Sequence, residues 1–131
     1  MTIRISSELR DQLLALAAAS PDREVCGLLF GDDLAITAIR QTVNVSLSPH
    51  DSFEIEPAAL IAAHRAMREG GPRLVGCYHS HPNGLCRPSL RDLAVMRGGL
   101  DTWLILAAGE LSLWRFDQNS AAAAAITLSD Q

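Results

Sequence analysis

Two histidines separated by one residue are the first feature of this chain that could carry chemistry. His79 and His81 end an apolar segment that predicts a β-strand, so both imidazoles project from one face of a sheet. Asp92 lies in the first turn of a predicted helix, and Pro82 and Pro88 stiffen the loop that would bring its carboxylate back to the histidines. Two imidazoles and one carboxylate suit a catalytic zinc ion, whose fourth position is left for water.

Each of these residues also has an ordinary structural interpretation. A single histidine at such a position is more often a packing residue, and Ser89-x-x-Asp92 is also the pattern of a helix capping box. The joint pattern, His-x-His-Pro, six residues, Ser, two residues and Asp, arises by chance in on the order of 10⁻⁵ of chains of this size. A Cys77 thiolate is an alternative ligand, but same-face strand residues lie ~6.6 Å apart, which places a third one too far from a single tetrahedral ion. We therefore interpret the pattern as a metal site formed by the histidines and Asp92.

The full motif resembles the signature of the JAMM (MPN-plus) zinc metalloproteases, in their compact prokaryotic form. It comprises Glu24-Val25-Cys26-Gly27-Leu28 and His79-Ser80-His81-Pro82, followed by Ser89 and Asp92. The resemblance extends to about Phe116 and includes the segments Val43-Asn44 and Ser52-Phe53-Glu54-Ile55. It implies a cytidine-deaminase-like α/β fold and hydrolysis of a peptide or isopeptide bond after the C-terminal glycine of a ubiquitin-like or sulfur-carrier protein.

The resemblance also implies a role for each motif residue. His79, His81 and Asp92 would bind one zinc ion (Zn2+) per chain, Glu24 would move protons, and Ser89 would stabilise the transition state. A zinc ion lowers the pKa of a bound water to about 7, and a carboxylate can pass a proton to the leaving amine. A hydroxyl that donates to the oxyanion contributes about 2.7 to 4 kcal/mol. Without the resemblance, Glu24 is a solvated acid at a helix-to-strand junction, so its role depends on the resemblance.

The remaining serine and cysteines of this region are assigned no catalytic role. Ser80 lies between the two histidines, so we expect it to face away from the metal and to hold the loop. Cys26 and Cys77 are expected in the core, where small apolar cysteines usually lie. Cys86 either faces the substrate cleft or fills space within the loop.

The elements around the motif predict one mixed α/β domain over residues 1–131. Helices are predicted to begin near Ser7, Pro57 and Ser89, and the third is predicted to end near Gly98-Gly99. Strands are predicted over 2–5, 25–30, 34–45, 73–78, 103–107 and 111–116, with Ile126-Thr127-Leu128 as a final edge strand. The expected architecture is a sheet of about six strands flanked by about three helices.

Composition excludes several functional classes. Hydrophobic residues at 48% and charged residues at 20% are typical of a folded soluble protein. The net charge of −4, without a basic block, argues against nucleic-acid binding, and the absence of lysine excludes a P-loop or a Schiff base. Three cysteines without a C-x-x-C pair predict a reducing, cytoplasmic environment. The apolar run near the N-terminus predicts an amphipathic helix rather than a signal peptide, and no run reaches the ~20 residues of a membrane span.

Three functions compete for this pattern. A zinc-dependent peptidase acting on a ubiquitin-like or sulfur-carrier protein is favoured. A zinc nucleobase deaminase would share the fold, but the chain lacks both H-x-E and P-C-x-x-C, which that chemistry requires. A non-catalytic MPN-type scaffold that binds partner proteins is the alternative. Such scaffolds lose metal ligands, whereas all five motif positions are present here. The sequence leaves the identities of the carrier and of the leaving group open.

Overall fold

The computed structural model describes residues 2–96, 100, 102–117 and 120–129, in seven strands and three helices. The strands are β1 Thr2–Ser6, β2 Cys26–Gly31, β3 Ala35–Thr42, β4 Leu74–Ser80, β5 Thr102–Ala107, β6 Glu110–Asp117 and β7 Ser120–Ser129. The helices are α1 Ser7–Ala18, α2 Pro57–Arg68 and α3 Leu90–Met96. The predicted α/β class is confirmed.

Local signals explain where the helices begin. The Ser6 hydroxyl accepts a hydrogen bond from the Leu9 N–H at 3.1 Å and caps α1, whose Leu13 is fully buried. Pro57 occupies the first turn of α2, where its missing N–H has no helical partner to lose. The predicted end of α3 near Gly98-Gly99 lies outside the described residues. No helix among the residues described is both long and apolar enough to cross a membrane.

The strands form a closed sheet in the order β1-β3-β2-β4-β5-β6-β7. Three neighbouring pairs, β1–β3, β4–β5 and β1–β7, are parallel, and the others are antiparallel. The C-terminal strand predicted at an edge is longer than expected and lies between β6 and β1, so it closes the sheet. Its alanine run lacks the alternating pattern of a half-buried strand, and only its pairing with two neighbours defines it.

The two faces of β4 divide the core from the site. Tyr78 belongs to the main apolar cluster with Ile3, Leu13, Leu104 and Leu113, which α1 covers. Because alternate strand residues point to opposite faces, Cys77 and His79 lie on the other side, where Cys77 packs against Trp103. A side chain at Gly27 would overlap the Tyr78 ring and the Arg40 carbonyl, so this strand position admits only glycine without rearrangement.

Candidate metal centre and active site

Three potential ligand atoms converge at the end of β4. His79 Nε2 lies 2.9 Å from His81 Nε2, and Asp92 Oδ2 lies 3.1 Å from the first and 2.8 Å from the second. All three residues are buried. Strand β4 carries His79, His81 follows directly after the last residue of the strand, and the first turn of α3 presents the carboxylate. The structure therefore brings together the three residues that the spacing predicted as ligands.

A capping box holds Asp92 at this point. The Asp92 N–H donates to Ser89 Oγ at 3.0 Å, and the Ser89 N–H donates to Asp92 Oδ2 at 2.9 Å. The structural interpretation of this pair is thus correct, and it is compatible with the metal site because one carboxylate oxygen faces both histidines. Ser89 Oγ acts as the acceptor in the cap, which leaves its O–H able to donate elsewhere.

A backbone carbonyl of the following loop orients His81. His81 Nδ1 lies 2.7 Å from the Leu85 carbonyl, so Nδ1 carries the hydrogen, and the ring in its neutral form would present the Nε2 lone pair to a metal ion. The loop is fixed to β6 by Ser112, whose hydroxyl donates to the Cys86 carbonyl at 2.7 Å. Cys86 Sγ lies 3.2 Å from Ser112 Oγ, so the thiol is directed at β6. Cys86 was predicted either to face the substrate cleft or to fill space within the loop, and the structure favours the second.

Aromatic packing, rather than a hydrogen bond at Nδ1, orients the far side of the His79 ring. The Phe53 ring stacks on the imidazole with centroids 4.3 Å apart and planes inclined by 20°. The Trp103 ring meets it edge-on at 5.2 Å. His79 Nδ1 is buried and has no hydrogen-bond partner among the residues described. The imidazole is thus packed against two aromatic rings.

Glu24 faces the same cluster from the residue pair that precedes β2. One of its carboxylate oxygens and ring nitrogens of His79 and His81 all lie within 4.8 Å of one another. Glu24 is 4% exposed, and its Oε1 has no hydrogen-bond partner in the described part of the chain. Burial raises the pKa of this carboxyl to about 7, although nearby His81 opposes the shift. A carboxyl with a pKa in this range can accept and release a proton at neutral pH.

The electrostatics of the three converging residues favour a charged Asp92. Burial alone would raise the pKa of Asp92, but hydrogen bonds from His79 and His81 outweigh burial and hold it well below its usual range. Burial lowers the pKa of His79, which favours the neutral imidazole. For His81, burial is outweighed by hydrogen bonds to Asp92 and to the Leu85 carbonyl, and its pKa is raised.

The donor set fits a single divalent metal ion. The three atoms lie 2.8 to 3.1 Å apart, close to the ~3.3 Å edge of a tetrahedron with bonds of ~2.0 Å. Two imidazole nitrogens at 2.9 Å, both next to one carboxylate oxygen, place lone pairs at a common point, which a cation stabilises. Glu24, His79 and His81 form another possible ligand triad, but Asp92 lies closer to the histidines and is the better third donor.

Two other residues near the motif behave as predicted. Ser80 Oγ accepts a hydrogen bond from the Val25 N–H at 2.8 Å, so Ser80 joins β4 to the segment that follows Glu24. Cys77 is 3% exposed and packs in the core, and burial raises the pKa of its thiol, which opposes the thiolate form needed by a metal ligand. Its alternative role as a ligand is not supported.

The sequence did not predict the roles of Phe53 and Asn44. Both lie in segments that carry the family resemblance, but the sequence assigns no function to them. Phe53 covers His79, and the Asn44 side chain donates to the Glu24 carbonyl at 2.9 Å. The available signal for Asn44 was a polar residue two positions after β3, the strand that pairs with β2, which Glu24 precedes.

Exposed apolar side chains flank the site. Leu90 is 88% exposed, and Leu85 and Val43 are also exposed; Leu85 and Leu90 lie beside His81, and Val43 lies beside Glu24. A cleft beside the centre is lined by residues of the loop and of the start of α3, namely His81, Asn83, Leu85, Arg87, Pro88, Ser89 and Leu90. Exposed apolar residues next to a polar centre are typical of surfaces that bind other proteins.

Comparison with known proteins shows which family shares these features. Residues 6–117 match the family described as prokaryotic homologs of the JAB domain. A desampylase from Haloferax volcanii is 34% identical over 96 residues, which cover 69% of this chain and 69% of that protein. A probable TtuB-protein conjugate cleaving protease from Thermus thermophilus is 41% identical over 54 residues, or 41% of this chain and 36% of that protein. The solution structure of a Desulfitobacterium hafniense protein superposes with a TM-score of 0.81 at 25% identity, covering 100% of this chain and 94% of that one.

Proposed function

This chain belongs to the family of prokaryotic homologs of the JAB domain, and we propose that it is a zinc-dependent metallo-isopeptidase. Its proposed substrate is a ubiquitin-like or sulfur-carrier protein, cut at the peptide or isopeptide bond that follows the C-terminal glycine. The observation that carries the proposal is the convergence of three ligand atoms at 2.8 to 3.1 Å, faced by a buried carboxylate. The names of the Haloferax and Thermus relatives, a desampylase and a conjugate-cleaving protease, support the reaction class.

His79, His81 and Asp92 are the proposed ligands of one zinc ion. When bound, zinc supplies Lewis acidity, which polarises a substrate carbonyl and lowers the pKa of water. The protein holds two of the ligands by different means: the Leu85 carbonyl fixes the ring of His81, and Phe53 covers the ring of His79. Asp92 contributes a negative charge, because its pKa is held well below its usual range.

Glu24 and Ser89 are the proposed catalytic residues. Glu24 takes a proton from the attacking water and returns it to the leaving amine, which must be protonated before it departs. Its burial raises its pKa to about 7, which suits both transfers at neutral pH. The Ser89 hydroxyl donates to the oxyanion that develops on the substrate carbonyl. The cap uses Ser89 Oγ only as an acceptor, so the O–H remains for this role.

The proposed substrate specificity follows from the burial of the proposed ligands. The ligands are buried beneath the loop that follows His81 and next to the start of α3, so the residues before the cleaved bond must pass close to both. A Gly-Gly tail has no Cβ atoms and can follow an extended path there. The exposed side chains of Leu85 and Leu90 offer apolar contact to the folded part of a carrier protein. We place this reaction in the cytoplasm, where the three free cysteines would stay reduced.

A matched set of conjugates tests this function. Carrier proteins ending in Gly-Gly or Gly-Ala are joined through their C-termini to a lysine side chain or to an α-amine, and product masses are measured. We expect cleavage directly after Gly-Gly, loss of activity with a chelator, recovery with zinc, and rates at least about tenfold lower after Gly-Ala. Glu24→Gln is expected to retain zinc and to lower turnover by about 10² to 10⁴.

Three outcomes would contradict the proposal. Equal rates for Gly-Gly and Gly-Ala tails would exclude the steric argument. Zinc occupancy that is unchanged in His79→Ala, His81→Ala and Asp92→Ala would exclude these ligands. Tight zinc binding and carrier binding without hydrolysis would instead indicate the scaffold function.

A further inference from the structure

Asn44 forms four hydrogen bonds with its side chain, the full capacity of an asparagine amide. Its Nδ2 donates to the Glu24 carbonyl at 2.9 Å and to the Ser52 carbonyl at 3.1 Å. Its Oδ1 accepts from the Ser46 N–H at 3.0 Å and from the Glu54 N–H at 3.1 Å. Two carbonyls face one end of the amide and two N–H groups face the other, so the network fixes the orientation of the amide.

These bonds join the main chain at Glu24 to the segment that carries Phe53. Glu24 precedes β2, which begins at Cys26, so the ladder of the sheet does not hold its main chain. Its carbonyl is held by Asn44, and its N–H donates to the Pro49 carbonyl at 2.6 Å. On the other side, Asn44 binds the residues on either side of Phe53, the ring that stacks on His79.

The Glu24 carboxylate is not held in place by a hydrogen bond at Oε1 from any described residue. Its Oε1 is buried without a hydrogen-bond partner among the described residues, so the position of the carboxylate is determined by the main chain that carries it. We propose that Asn44 is a positioning residue for Glu24, which holds its main chain so that the carboxylate faces the histidines. This inference rests on the proposed role of Glu24 as the proton carrier.

Asn44→Asp removes the two hydrogen bonds that Asn44 donates, including the one to Glu24, and keeps the two that it accepts. Aspartate has the same shape and keeps the two acceptor contacts to Ser46 and Glu54, but it loses both donors and sets a carboxylate oxygen against the Glu24 and Ser52 carbonyls. We expect kcat for conjugate cleavage to fall by about tenfold to a hundredfold, because a misplacement of ~1 Å costs rates of this order. KM and zinc occupancy should stay within about twofold of the parent values, since Asn44 contacts neither histidine nor Asp92.

A double-mutant cycle with Glu24→Gln distinguishes positioning from general structural support. Rates are measured with enzyme in excess over substrate, so that slow single turnovers are quantified. If Asn44 acts through the Glu24 carboxylate, Asn44→Asp lowers the rate of the parent but not that of Glu24→Gln. A merely structural role lowers both rates by the same factor. Asn44→Ala, which loses all four bonds, should show the same dependence on Glu24.

Asp32→Ala is the matched control. Asp32 Oδ1 accepts hydrogen bonds from the N–H groups of Leu34 and Ala35 in the β2–β3 turn, so this variant also loses two hydrogen bonds. We expect its kcat to stay near the parent value. Equal losses in both Glu24 backgrounds, or an unchanged kcat in Asn44→Asp, would overturn the positioning role while leaving the proposed function intact. Near-parental activity in Glu24→Gln would overturn the role of Glu24, and this inference with it.

Discussion

Replacing Phe53 with leucine isolates the contribution of one aromatic ring to metal binding. Leucine keeps an apolar cover over His79 but removes the ring stacked on it at 4.3 Å. Aromatic pairs contribute about 0.5 to 1.5 kcal/mol beyond the area they bury. Because His79 Nδ1 has no hydrogen-bond partner among the described residues, we expect the ring to lose its fixed orientation before the metal binds. The cost of ordering it again would lower zinc affinity by roughly 2- to 13-fold.

Zinc affinity of the purified protein is measured by competition with a chromogenic chelator at fixed pH. Phe30→Leu is the matched control, because Phe30 is a buried ring in a separate apolar cluster under α2. It should lower stability without changing zinc affinity. Unchanged affinity in both Phe53→Leu and Phe53→Ala would refute the role of the stacked ring. An equal loss in Phe30→Leu would show that the effect reflects stability alone.

The pH dependence of Phe53→Ala gives an independent check. Burial lowers the pKa of His79 in the parent, which keeps its ring neutral and able to bind a metal. Alanine admits water, so the pKa of His79 should rise towards its ordinary value and protons should compete more strongly with zinc as the pH falls. The affinity deficit of Phe53→Ala is therefore expected to be larger at pH 6 than at pH 8. A deficit that does not vary with pH would contradict this explanation.

Three further substitutions test other parts of the site and core. Ser89→Ala should lower kcat by about 10² to 10³ while zinc is retained, as measured by steady-state kinetics and elemental analysis. A rate near that of the parent would exclude Ser89 as an oxyanion donor. Ser112→Ala removes the hydrogen bond from the Ser112 hydroxyl to the Cys86 carbonyl and should weaken zinc binding about 10- to 100-fold in the chelator assay. Unchanged zinc affinity would show that the loop orients His81 without this hydrogen bond. Tyr78→Phe removes a buried hydroxyl that has no hydrogen-bond partner among the described residues. The free energy of unfolding in urea should therefore stay level or rise by about 1 kcal/mol. A clear fall would reveal an interaction of that hydroxyl.

Short-range patterns in the sequence determined much of this protein. The alternation of β4 places His79 and Cys77 on one face and Tyr78 on the other, and that alternation follows from the pleat of a single strand. The capping box of Ser89 and Asp92 likewise depends only on a few consecutive residues. Such features are readable because backbone geometry repeats over two to four residues, whatever the rest of the chain does.

The tertiary structure alone decided which of these segments meet. Glu24 faces the histidines because β2 pairs antiparallel with β4, with Cys26 opposite His79. Asn44 and Phe53 reach the site through contacts between segments distant along the chain, and β7 closes the sheet by pairing with β1. The choice of strand neighbours reflects the packing of the whole core. No local periodicity encodes it, so the sequence could predict the three residues that converge at the end of β4 but not the residues that position them.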